Sequence, residues 1–137
     1  MDQQTYVIRS SLPEVDRLSK EIKIGWDKAG LDKDTVFALY TALEEALVNA
    51  VKHGNKFDPG LSVEVRVGRQ AGEVRVEVKD QGKGFDHTSI PDPRRHDVIT
   101  KLSGKGVFMI KELMDEVSYL EGGTRIVMVK KIEPHTV

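Results

Sequence analysis

Residues 34–55, DTVFALYTALEEALVNAVKHGN, carry the pattern that decides the fold, because they predict one amphipathic helix with two different faces. Apolar residues recur at three- and four-residue spacing, so one face can bury against a sheet: Val36, Leu39, Tyr40, Leu43, Leu47 and Ala50. The opposite face is polar, with Glu45, Asn49, Lys52 and, toward its edge, His53. Gly54 follows the last turn, where glycine commonly ends a helix because it adopts a positive φ without steric cost. Taken alone, such a polar face is typical of a solvated surface.

Composition excludes several classes of protein. The chain has 137 residues, 39% hydrophobic and 31% charged, which predicts a single domain over 1–137. Its 21 basic and 22 acidic residues leave a net charge of −1, so neither direct nucleic-acid binding nor a polybasic membrane contact is expected. The absence of cysteine excludes a thiol nucleophile and fits a reducing compartment. With no apolar run of membrane-spanning length and no signal-peptide pattern, we expect a cytoplasmic protein.

Patterns along the rest of the chain predict the element order β-α-α-β-β-loop-α-β-β. Strict apolar–polar alternation over 61–69 and 73–80 is typical of strands with one buried face. Helices bunched on one face of such a sheet make an α+β fold, a two-layer α/β sandwich. We expect a mixed, mainly antiparallel sheet covered on one face by about three helices. The remaining predicted elements are strands at 5–9, 117–120 and 124–132 and helices at 11–29 and 107–116.

The stretch DQGKGF at 80–85 ends the third predicted strand. Asp80 offers a side chain that only accepts hydrogen bonds when ionised, and Gly82 and Gly84 let a flat ligand approach the backbone closely. A buried carboxylate at this place suits an exocyclic amine such as that of adenine. Alone, the stretch is also typical of an ordinary turn after a strand.

A second glycine-rich stretch, SGKG at 103–106, opens the third predicted helix. Free N–H groups at a helix N-terminus bind anions, although a flexible loop entering a helix has the same composition and the P-loop spacing is missing. Asn49 offers a neutral oxygen, which Mg²⁺ accepts when phosphates and waters fill the rest of its shell. A catalytic role for Glu45 requires it to lie near the γ-phosphate acceptor, where it could take a proton or orient water.

Jointly, EEALVNAVKHGN, DQGKGF, SGKGVFMIKELMDEV and GGT resemble the N box and the glycine boxes of the GHKL ATPase superfamily. Within it, E-A-x-x-N-A-x-x-H-G and the helix GxGxxxIxxLMDEV are similar to the anti-sigma-factor serine kinases of the RsbW and SpoIIAB type. The resemblance covers nearly the whole chain. It implies a Bergerat-type fold that binds ATP with Mg²⁺ and phosphorylates a serine on a STAS-domain anti-anti-sigma antagonist. It also implies sequestration of a sigma factor, often by a homodimer.

The same resemblance implies a role for each matching residue. Glu45 would be the general base and Asn49 the Mg²⁺ ligand. Asp80 would bind the adenine amine, with Thr124 assisting through water. The other implied nucleotide contacts make room for the base (Gly82, Gly84), hold the phosphates (Gly104, Lys105, Gly106 and the N–H groups that follow from Val107) or line the phosphate side (Lys52, His53).

One position departs from the family pattern. Leu102 stands where members often carry arginine before the Ser-Gly pair, so a nucleotide-binding interaction module without kinase activity stays open as the alternative. A third possibility, the detached ATP domain of a histidine kinase, is disfavoured because no paired dimerisation helix bearing a phosphoacceptor histidine is present. The loop over 86–103 is expected to act as a short lid.

Overall fold

Five strands and three helices make up the described part of the chain in the computed structural model, which covers residues 2–70, 72–82 and 104–132. The strands are β1 Asp2–Arg9, β2 Ser62–Gln70, β3 Glu73–Lys79, β4 Glu116–Leu120 and β5 Arg125–Lys131. The helices are α1 Leu12–Lys28, α2 Lys33–Asn49 and α3 Gly104–Leu113, and a five-residue π-helical turn, Ala50–Gly54, continues α2. The predicted lid over 86–103, which includes Leu102, lies outside the described residues. So does Gly84, one of the predicted nucleotide contacts.

The sheet has the strand order β1-β2-β3-β5-β4, and each neighbouring pair is antiparallel. The predicted order of strands and helices in the described part of the chain and the α+β sandwich are therefore confirmed. The described sheet is antiparallel throughout rather than mixed. For two of the four pairs, β2 with β3 and β4 with β5, the reason is a short turn that reverses the chain direction.

The core lies between one face of the sheet and the helices, as the two periodicities predict. From the sheet, Val65 and Val76 are fully buried, and from α2, Leu39 and Leu43 are fully buried. Trp26 is 3% exposed and belongs to the same core. α2 packs against α1 on one side and against α3 on the other, which holds it on the sheet. The polar end of α2 is thereby fixed beside the strand ends.

The helix predicted over 34–55 changes geometry after Asn49. The Asn55 N–H donates to the Ala50 carbonyl at 2.8 Å, which closes a wider, π-helical turn. Gly54 does not take a positive φ, so its predicted role as a conformational stop is wrong. The positive φ values come two and three residues later, at Lys56 (51°) and Phe57 (60°). Side chains beyond Asn49 consequently leave the α-helical spacing.

Candidate functional site

Asp80 lies directly after β3 and is only 7% exposed. Its N–H donates to the Thr124 carbonyl at 2.9 Å, and its Oδ1 accepts the Gly82 N–H at 2.8 Å. Burial raises the pKa of Asp80, and the Gly82 N–H acts in the opposite direction. The structure therefore presents a desolvated carboxylate whose position is fixed through its own backbone and one of its oxygens.

Gly54 packs directly against this carboxylate. A Cβ built on Gly54 would overlap the Asp80 carboxylate, lying 2.8 Å from Oδ1 and closer still to Cγ and Oδ2. A Cβ on Gly82 would overlap the Gly54 carbonyl oxygen. Only glycine fits at these two positions, so the N-box end of α2 touches the stretch after β3. Gly82 was expected to make room for a base, but its close neighbour here is the protein backbone.

Asn55 holds the same stretch from another direction, and sequence reasoning gave it no role. It is 2% exposed, and its Oδ1 accepts the Gln81 N–H at 2.8 Å. Its Nδ2 donates to Ser10 Oγ at 2.7 Å and to the Ser62 carbonyl at 2.9 Å. One side chain thus joins the end of β1, the start of β2 and the residues after β3. Its sequence position just past a helix gave no signal, because asparagine is common in turns.

Asn49 carries a buried atom that lacks a partner. Its Oδ1 is inaccessible to solvent, and no group in the described part of the chain donates to it. Leaving a buried acceptor unsatisfied costs about 1–3 kcal/mol, so this oxygen is suited to a ligand that arrives later. A hard cation fits, because Mg²⁺ takes oxygen ligands and usually keeps waters and substrate phosphates in its shell. Within the described ranges, no three His, Asp or Glu side chains group closely enough to hold a metal.

Glu45 lies one helical turn before Asn49, and residues four apart share a helix face. It is half-buried, and burial raises the pKa of Glu45, with the Glu44 carboxylate adding to the rise and Lys52 opposing it. A carboxylate with a raised pKa is a stronger base than an exposed glutamate. Burial, assisted by Lys52, lowers the pKa of His53. We therefore expect a neutral imidazole at pH 7, so that of these two residues Lys52 alone is a cation.

Thr124 lies next to Asp80, because its carbonyl accepts the Asp80 N–H. The family resemblance names these two residues together in binding the adenine amine. Its Oγ1 donates to the Glu121 carbonyl at 2.9 Å, which directs the hydroxyl proton into the turn. Glu121 has a positive φ of 53° and is held by Lys79 at 3.3 Å and Arg125 at 2.6 Å. Two ion pairs of Glu121 thus fix the turn that carries Thr124.

The first turn of α3 begins at Gly104, three residues before the predicted helix start at Val107. The backbone of Gly104, Lys105, Gly106 and Val107 is helical there, and the leading N–H groups of a helix have no partner within it. Their side-chain contacts lie outside the described part. Because α3 packs on α2, the glycine-rich segment belongs to the same layer as Glu45 and Asn49.

A family model described as the histidine kinase-like ATPase domain matches residues 10–130. The chain belongs to the histidine kinase-like ATPase family. The candidate site described above combines a buried carboxylate after β3 with a Glu…Asn pair on α2. The matched segment includes every residue singled out above from Glu45 to Thr124.

Relatives within the ATPase family bear two kinds of name. The serine-protein kinase RsbW of Listeria monocytogenes is 31% identical over 112 residues, covering 77% of this chain and 71% of its own. The anti-sigma F factor of Clostridium botulinum is 35% identical over 112 residues, covering 72% of each. The Staphylococcus epidermidis RsbW is 31% identical over 125 residues, covering 82% of this chain and 76% of its own.

A solved structure supports the fold alone. The crystal structure of the RsbU and RsbW domains of a Mycobacterium tuberculosis protein matches with a TM-score of 0.62 and 17% identity. It covers 97% of this chain and 32% of that one. Among the described residues, no helix has the length and apolar character needed to cross a membrane.

Proposed function

We propose that this protein is an ATP-dependent serine/threonine protein kinase of a partner-switching system. It phosphorylates a serine on a STAS-domain anti-anti-sigma factor and sequesters a sigma factor. The observation that carries the proposal is the alignment of relatives named serine-protein kinase RsbW over 77–82% of this chain. The raised pKa of Glu45 and the unpartnered Asn49 Oδ1 are what a kinase site of this kind would need. We further propose that 1–137 is one domain, acting as a homodimer in the cytoplasm.

The proposed reaction uses Glu45 as the base. The partner's serine oxygen attacks the γ-phosphorus of ATP, the bond from that phosphorus to the β,γ-bridging oxygen breaks, and ADP leaves with the electron pair. The serine proton passes to the Glu45 carboxylate and then to solvent. Half-burial of Glu45 supports this role, because it raises the affinity of the carboxylate for that proton.

The other residues bind and orient the nucleotide. Asp80 would accept from the adenine amine through the oxygen that the Gly82 N–H does not occupy. Asn49 would hold Mg²⁺, which when bound neutralises charge on the β- and γ-phosphate oxygens. The N–H groups of the first α3 turn and Lys52 would contact phosphate oxygens. The proposal thus divides the site into an adenine part at Asp80 and a phosphate part at Asn49, Lys52 and the first turn of α3.

The test is transfer of label from γ-³²P-ATP to a panel of purified STAS-domain proteins. We expect one or more to acquire an acid-stable phosphoserine only when this protein and Mg²⁺ are present. If the panel stays unlabelled while ATP binds tightly, the result would instead support the nucleotide-dependent interaction module. Leu102, in place of the arginine common in the family, is the observation behind that hypothesis. Acid-labile phosphohistidine on a partner would support the histidine-kinase reading.

The pH dependence of transfer gives a second prediction. Glu45 must be ionised to act as a base, so the transfer rate falls as the pH drops through the pKa of Glu45. Because that pKa is raised, this fall on the acid side should occur at a higher pH than an ordinary glutamate would give. Glu44→Gln removes a negative neighbour, lowers the pKa of Glu45 and should shift the limb to lower pH. Lys52→Gln removes a positive neighbour and should shift it to higher pH. Single-turnover rates from pH 4 to 8 measure both, and shifts in the same direction would contradict the assignment.

A further inference from the structure

We propose that Asn55 is a positioning residue that fixes Asp80 for adenine recognition before the nucleotide arrives. The proposal rests on the proposed function, since it concerns how the adenine contact is set. Asn55 itself is 2% exposed and already uses Nδ2 and Oδ1 in bonds to protein. It therefore has no role as a direct ligand and acts through the residues it holds.

The stretch after β3 is held at three successive backbone N–H groups. The Asp80 N–H donates to the Thr124 carbonyl, the Gln81 N–H to Asn55 Oδ1, and the Gly82 N–H to Asp80 Oδ1. The first of these bonds ties the stretch to the residue before β5, and the third lies within the stretch itself. The bond to Asn55 is the one that ties it to the end of α2, where Gly54 meets the Asp80 carboxylate.

The fold does not need this bond to assemble the sheet. β1 and β2 are already paired in register as far as Arg9 and Ser62. Asn55 Nδ2 donates at this end of the pair, to the Ser62 carbonyl. The pairing of β2 with β3 ends at Glu64 and Lys79. Beyond Lys79 the chain has left that ladder. Gln81 is then held at its backbone N–H by Asn55 Oδ1 and at its side-chain Oε1 by the Ser62 N–H at 2.7 Å, so the Oδ1 bond of Asn55 is the one that fixes the backbone of Gln81. The two halves of the Asn55 amide thus have separable tasks.

The chemical consequence is selectivity for the base. Inosine triphosphate carries a carbonyl oxygen where ATP carries the exocyclic amine, and a carboxylate acceptor repels that oxygen. A hydrogen bond to a charged group gives a preference of about 10- to 100-fold. The preference depends on where the carboxylate stands, whereas phosphate contacts are the same for both nucleotides. The ratio of ATP to inosine triphosphate affinity therefore reports the position of Asp80.

The experiment measures both affinities by calorimetry for the wild type and four variants, with urea unfolding of each. Asn55→Ala removes both halves of the amide, whereas Asn55→Asp keeps the acceptor for the Gln81 N–H and loses the two donated bonds. Ser10→Ala removes one Nδ2 acceptor and leaves the Gln81 bond intact. Asp80→Asn defines complete loss of the preference.

We expect Asn55→Ala to lower the affinity ratio toward that of Asp80→Asn while the affinity for inosine triphosphate changes little. Asn55→Asp and Ser10→Ala should keep the wild-type ratio although both lose stability. A wild-type ratio in folded Asn55→Ala would overturn the positioning role. Equal wild-type affinities for the two nucleotides, or no binding, would overturn the proposed adenine site instead, so the two failures differ.

Hydrogen exchange of the wild type supplies a measurement that needs no variant. A preformed bond predicts that the Gln81 amide is protected in the nucleotide-free protein as strongly as the neighbouring end of β3. Protection that arises only after ATP is added would refute positioning before binding. This readout holds even where Asn55→Ala fails to fold.

Discussion

Glu45→Gln should lower the rate of phosphoryl transfer by about 10²- to 10⁴-fold, the range that a positioned general base contributes. Glutamine keeps the size and much of the polarity of glutamate, but it cannot take the serine proton. The affinity for ATP should stay close to that of the wild type, because Glu45 is not among the groups proposed to hold the nucleotide. Single-turnover transfer at saturating ATP, together with calorimetric ATP binding, separates the two quantities.

The neighbouring carboxylate supplies the matched control. Glu44 lies on the same turn and accepts a hydrogen bond from the Tyr40 hydroxyl at 3.3 Å. Glu44→Gln should retain transfer at neutral pH, because it only shifts the pKa of Glu45. Transfer at full rate in Glu45→Gln would exclude the base assignment. A parallel loss of ATP affinity would move Glu45 from catalysis to binding.

The sequence predicts the fold well because burial has a periodic signature. Alternation in β2 and β3 places Val65 and Val76 on one face, and the helical spacing of Leu39 and Leu43 faces them; all four are fully buried. The end of α2 is where prediction fails. A π-helical turn depends on local backbone packing, and the composition of Ala50–Gly54 gives no sign of it.

The site was predicted in part. Asp80 is buried at the end of a strand, as the pattern predicts. Its N–H donates to the carbonyl of Thr124, the residue that the family resemblance names beside it. The sequence pattern predicts Gly54 as a helix stop and gives Asn55 no role, because local patterns describe backbone preference and not long-range contact. Their actual partners, Asp80 and Gln81, lie about 26 residues further along the chain. Close packing against a distant carboxylate leaves no trace in a single sequence.

The two asparagines of this region differ in a way that bears on function. Asn55 is buried with Oδ1 and Nδ2 engaged, whereas Asn49 has a buried Oδ1 that no described residue satisfies. A satisfied buried amide stabilises the fold, but an unsatisfied one destabilises it. Removing Asn49 should therefore change binding and stability in opposite directions, which is the pattern expected where a site is maintained at the expense of stability.

Asn49→Ala should raise the free energy of unfolding of the nucleotide-free protein by about 1 kcal/mol, because it removes the unsatisfied oxygen and alanine is the better helix former. The Mg²⁺-dependent part of ATP affinity should fall by at least about 10- to 100-fold, the loss that changing even an outer partner causes at metal sites. Affinity measured in EDTA should change little. Urea unfolding and calorimetry with and without Mg²⁺ give all three quantities.

Asn49→Asp is the matched variant, since it keeps an oxygen at the same place and adds a charge. It should retain Mg²⁺-dependent binding and lose stability in the absence of metal, because an ionised carboxylate is costlier to bury than an amide. If Asn49→Ala instead destabilises the nucleotide-free protein and leaves Mg²⁺-dependent affinity intact, Oδ1 has a structural partner and the metal must bind elsewhere. A higher free energy of unfolding together with a lower Mg²⁺-dependent affinity in Asn49→Ala would identify Asn49 Oδ1 as a metal ligand.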